Sequence, residues 1–100
     1  MTEQLIVLYT MMGCPYCVMI KEQLNKLGIP YIERDIYEED EEFDLFVHAV
    51  DGNDSVPAFM IIETDGKTHD TKFYTSERDY YEIDQAVKII KESHQGFKLK

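Results

Sequence analysis

An α/β fold, a four-stranded mixed sheet flanked by three helices in the order βαβαββα, is what this sequence predicts, and three observations predict it. A continuous apolar run, Leu5 to Leu8, is followed by an amphipathic helical pattern and then by the alternating stretch Tyr31 to Ile36. That succession is a strand–helix–strand unit, whose strands run parallel through a right-handed crossover. A helical stripe of Phe43, Phe46, Val47 and Val50 comes next. Finally, two strand-like runs flank Asp65-Gly66, a hairpin turn signal, and a last amphipathic helix closes the chain.

Each element has its own justification. Residues Gln4 to Tyr9 have strand length, and the unbroken apolar run within them suits a strand covered on both faces. Thr10 to Gly13 form a loop. From Pro15 to Leu27 the residues Ile20, Leu24 and Leu27 recur at helical spacing, and Gly28 fits the left-handed position that ends a helix. Pro30 opens the second strand. The acidic run Glu38 to Glu42 suits the positive end of the second helix. Asp51 to Ser55 is a loop, Ala58 to Thr64 the third strand, and Thr68 to Tyr74 the fourth. Ser76 with Asp79 three residues later reads as a variant capping box, placing Tyr80, Ile83, Val87 and Ile90 on one face of the last helix. The expected organisation is a single domain over residues 1–95 and a short tail over 96–100.

Composition narrows the function. With 44% apolar and 30% charged residues the chain reads as a soluble globular protein. A net charge of −10 argues against nucleic acid and anionic membranes, both of which are bound through Lys and Arg. No apolar run approaches a membrane helix, and no export signal is visible at the start, so a cytoplasmic protein is expected.

The chemistry concentrates at Gly13-Cys14-Pro15-Tyr16-Cys17, which holds the only two cysteines. A Cys-x-x-Cys between a strand and a helix reads as a redox pair. Cys14 falls at the helix N-cap and Pro15 at the first helical position, where its missing N–H costs nothing. The unpaired N–H groups and positive dipole end favour a thiolate there. Zinc is a poor alternative, because the remaining ligands His48, His69 and His94 are scattered, so no metal is expected. A purely structural bridge is another, but so short a loop removes little entropy from the unfolded chain.

Cys14-Pro15-Tyr16-Cys17, together with Val56-Pro57 ahead of the apolar run Ala58 to Ile62, resembles the dithiol glutaredoxins, and the order of elements resembles them over nearly the whole chain. The resemblance implies a thioredoxin-like fold and a thiol–disulfide oxidoreductase in which Cys14 and Cys17 are catalytic. It implies a cis bond at Val56–Pro57 beside the cysteines, leaving the Val56 backbone free to pair with substrate like an added strand. It implies glutathione as co-substrate, with no tightly bound cofactor, held near Met11, Pro15, Tyr16, Val56, Pro57, Thr75 and Ser76. Disulfide-containing proteins are the protein partners it implies; ribonucleotide reductase and thioredoxin reductase belong to a second, thioredoxin-like reading, and a monomer is expected. Pro15 disfavours an iron–sulfur cluster by the same analogy.

The chain departs from the family pattern around glutathione. Met11 stands where many glutaredoxins carry Lys or Arg, and Met12 follows it as a second apolar side chain. Lys72-Phe73-Tyr74-Thr75-Ser76 matches a stretch that has Gly-Gly and then Asp, so Ser76 would have to serve by capping the last helix and offering its N–H groups. Lys72 offers a replacement charge, whereas Asp51 and Asp54 would repel an anion. These departures keep a second reading open, a reductant recharged by a flavoprotein reductase. A binding module using the Val56 groove without turnover is a third.

Overall fold

Alternation along the two central strands decides the architecture. The computed structural model describes residues 3–98. In β1 (Glu3–Thr10), Ile6 and Leu8 point to one side of the sheet and Val7 and Tyr9 to the other, each set buried in its own core. β3 (Ala58–Thr64) repeats the pattern, with Phe59 and Ile61 on the first side and Ala58 on the second. A sheet apolar on both faces has to be covered on both.

The first face is covered by α1 (Pro15–Leu27) and α3 (Ile83–Lys98). Ile20 and Leu24 from α1 and Ala86, Val87 and Ile90 from α3 meet Leu8 and Phe59 there. The second face is covered by α2 (Asp40–Ala49), whose Phe43 and Phe46 stack on each other and tilt against Tyr9. Each fully buried aliphatic or aromatic side chain contributes about 1.5–3 kcal/mol.

The sheet order is β2-β1-β3-β4, with β2 (Ile32–Asp35) and β4 (His69–Tyr74) at the edges. β1 and β2 are parallel, and the other two pairs are antiparallel. This is the thioredoxin-like arrangement the sequence predicts. Among the described residues, no helix is long and apolar enough to cross a membrane.

The boundaries of α1 follow from local chemistry. Pro15 takes the first position, and Gly28, at φ 69°, closes the helix. The Gly28 N–H donates to the Asn25 carbonyl at 3.1 Å and the Ile29 N–H to that of Leu24 at 3.0 Å. This left-handed cap satisfies two terminal carbonyls and folds Ile29 into the same core as Leu24.

Two expectations at the C-terminal end need correction. The last helix begins at Ile83, not after Ser76. Asp79 does not complete a capping box with Ser76; its carboxylate accepts the Thr75 N–H at 2.8 Å while its own N–H donates back to the Thr75 carbonyl at 3.0 Å. This closes a tight turn with Glu77 at φ 73°, and Ser76 bridges Tyr80. The helix is instead capped from within: Gln85 Oε1 accepts the N–H groups of Tyr81 and Glu82 at 2.8 and 3.1 Å. At its other end α3 runs through Gly96 to Lys98, where a tail is expected from Gly96 onward; residues 99–100 lie outside the described residues.

Candidate active site

β1 delivers the chain to the site, and α1 presents it. Cys14 is the N-cap of α1 with extended backbone, and it is joined to Cys17 by a disulfide, their Cα atoms 5.2 Å apart. The Cys17 N–H donates to Cys14 Sγ at 3.1 Å, inside the first turn. Both cysteines are buried, Cys14 at 6% exposure slightly less so than Cys17 at 1%. On reduction the same N–H would meet a thiolate, and a hydrogen bond to a charged acceptor is roughly twice as strong as a neutral one. The helix dipole acts in the same direction.

Across from α1 lies the loop before β3. The Val56–Pro57 peptide is cis, the isomer the resemblance implies. Pairing between β1 and β3 begins with Tyr9 opposite Ala58, so Val56 lies outside the ladder, half-buried. Two links hold this loop. The buried Tyr80 hydroxyl donates to the Pro57 carbonyl, and Asn53 Nδ2 donates to the Ser76 carbonyl at 2.8 Å. Asn53 also accepts the Ser55 N–H at 2.9 Å, which folds the loop onto itself. Burial first, and the neighbouring Asp79 second, raise the Tyr80 pKa, which keeps the phenol in its donating form.

Between these parts runs a groove of about 450 Å³. Tyr16 and Met19 of the first helix face Val56, Pro57 and Ser76 across it, and Tyr81 adds a second exposed aromatic ring. Glu82 and Asp84, at the start of α3, supply its charged side chains, and both are acidic. The structure thus brings Tyr16, Val56, Pro57 and Ser76 to one groove. Met11, Pro15 and Thr75 are not among the residues lining the groove, and Thr75 is fully buried. Lys72 sits on the edge strand opposite Ile61, and Asp51 and Asp54 stand in the preceding loop; none of the three lines the groove.

Sequence reasoning missed Tyr81, Glu82 and Asp84 because it started α3 too early, and it missed Met19, an exposed α1 residue outside the apolar spacing of Ile20, Leu24 and Leu27. The available signal was the apolar spacing from Ile83 onward, with Gln85 placed to reach back over the first turn. Asn53 and the hydroxyl role of Tyr80 carried no signal, because neither partner is near in sequence.

The glutaredoxin family model matches residues 6–65, more than half the chain, a span that holds the cysteine pair and Val56-Pro57. This chain belongs to the glutaredoxin family. A glutaredoxin with a bonded Cys pair at a helix N-terminus is a thiol–disulfide oxidoreductase. Solved structures similar to this glutaredoxin include the crystal structure of the thioredoxin-like protein BC3987, at 30% identity and a TM-score of 0.48, covering 54% of this chain and 73% of that one. The crystal structure of a mutant of the same protein matches at 28% identity and a TM-score of 0.48, covering 54% and 72%. No curated protein matches this glutaredoxin.

Proposed function

We propose that this protein reduces disulfides in polypeptides by a dithiol mechanism, with Cys14 as nucleophile and Cys17 as resolving thiol. The observation that carries the reading is the order along the first turn, Cys14 slightly less buried than Cys17 and hydrogen-bonded by the Cys17 N–H. The Cys14 thiolate attacks one sulfur of the substrate disulfide. The other substrate sulfur leaves as a thiolate and takes a proton from water. Cys17, as its thiolate, then attacks Cys14 Sγ, and the second substrate sulfur leaves in the same way. Two electrons have passed to the substrate, and the protein is left with the Cys14–Cys17 disulfide. In this reading an extended substrate segment pairs with the Val56 backbone, which lies outside the strand ladder at the groove.

Return to the dithiol needs a thiol reductant. Two glutathione molecules can supply it, and so can a protein dithiol such as that of a flavoprotein reductase. The acidic groove favours the second source, since glutathione is a net anion at neutral pH. The test is turnover of a peptide disulfide with glutathione plus glutathione reductase, beside turnover with thioredoxin reductase. Dithiol chemistry requires substrate reduction in at least one arm, lost in Cys14→Ser. Absence of turnover in both arms, with a reduced protein that fails to exchange with any disulfide, would end the proposal.

A further inference from the structure

The groove that Tyr16 borders mixes polar with apolar and aromatic surface, and its charge has one sign. Tyr16, Met19 and Tyr81 give it exposed apolar surface, while Glu82 and Asp84 give it two carboxylates and, among the described residues, none that lines it is a cation. Asp84 accepts a hydrogen bond from Gln23 Nε2 at 3.3 Å, but a neutral amide leaves the charge in place. Just ahead of α3, the N–H groups of Tyr81 and Glu82 are bonded to Gln85 Oε1, so those two donors are not open to an anion.

We propose that Glu82 and Asp84 set substrate choice, so that the site prefers polypeptide disulfides flanked by basic residues and disfavours anionic disulfides, oxidised glutathione among them. The proposal rests on the dithiol reading above and adds a substrate class to it. A Lys or Arg beside the reacting cysteine meets one or both carboxylates at the groove while the apolar part of the segment lies on Tyr16, Met19 and Tyr81. An acidic neighbour meets repulsion at the same place, which is discrimination by an unfavourable contact as well as a favourable one.

The overall charge of −10 would also attract basic peptides, so the test must separate groove from bulk. Three disulfide-closed peptides of one sequence, with Lys, Gln or Glu beside each cysteine, are mixed with the reduced protein, and the rate of oxidation is followed by acid quench and chromatography. The ratio of the Lys to the Glu rate also contains the peptides' intrinsic reactivity, so the informative quantity is how that ratio changes on substitution. Glu82→Gln with Asp84→Asn should shrink it by about 4-fold or more, taking exposed charge pairs at their usual strength. Each single substitution should give about half of that on a logarithmic scale. Glu3→Gln with Asp70→Asn removes the same charge at the far end of the sheet, where Glu3 pairs with Thr64 and Asp70 with Glu63, and should leave the ratio nearly unchanged. A ratio untouched by the groove substitutions, or reduced equally by the distant ones, overturns the proposal while leaving dithiol chemistry intact. Exchange with none of the three peptides overturns the dithiol reading, and this proposal with it.

Discussion

Tyr80 does at the level of one residue what the redox pair cannot do for itself. Its ring lies in the core between Phe59 and the last helix, and its hydroxyl reaches the carbonyl of Pro57. The loop that carries the cis Val56–Pro57 peptide is thereby fixed from below. Tyr80→Phe keeps the ring and leaves that carbonyl without its donor, which costs about 1–3 kcal/mol for a buried acceptor. For a domain of this size the thermal midpoint should fall by roughly 4–8 °C per kcal/mol, measured by circular dichroism. A substitution with no effect on the midpoint would mean that water replaces the phenol, and that the loop is held by Asn53 instead. The same residue shows what a sequence conceals. Its spacing before Ile83, Val87 and Ile90 reads as one helical face, yet it precedes the helix and joins the same core from a turn.

Elements were legible wherever local chemistry admits one answer. Pro15 and Gly28 bracket α1, and a run of apolar residues after Val56-Pro57 can only be the third strand. The start of α3 was not legible, because Ser76-Glu77-Arg78-Asp79 satisfies two geometries. The carboxylate of Asp79 can cap a helix or close a turn on Thr75, and only the position of Tyr80 in the core decides between them. That single choice moved the acidic start of α3 into the groove. A second link between elements is equally invisible in sequence: Glu33 on β2 accepts hydrogen bonds from Lys21 on α1 at 2.9 Å and from the Thr10 hydroxyl at 2.8 Å. Lys21 first, and Thr10 second, hold its carboxyl below the ordinary glutamate value. A depressed carboxylate contributes stability above the unfolded pKa and loses it as pH falls through the folded one. Denaturant titrations of the protein and of Glu33→Gln should therefore differ by about 0.2–1 kcal/mol near neutrality, an exposed pair's usual range. The difference should close as pH drops below the ordinary carboxylate range; a gap that persists in acid would assign it to packing.

At the scale of the whole molecule, twenty acidic and ten basic residues give the folded chain a net charge of −10. Compaction brings those charges together, so self-repulsion opposes folding, and salt relieves it. The thermal midpoint should rise as NaCl increases from about 0.01 M to about 0.1 M, over which the screening length falls from roughly 30 Å to 10 Å. A falling midpoint would show that ion pairs such as Lys21–Glu33 outweigh the general repulsion. The sheet and the two helical layers hold the bonded cysteines at the start of α1, and the proposed mechanism makes Cys14 the attacking sulfur and Cys17 the resolving one. Intact-mass analysis of single-cysteine variants tests that most directly. After incubation with a peptide disulfide, Cys17→Ser is predicted to carry one covalently attached peptide at Cys14, and Cys14→Ser to carry none. Attachment in Cys14→Ser with none in Cys17→Ser would reverse the assignment and contradict the account.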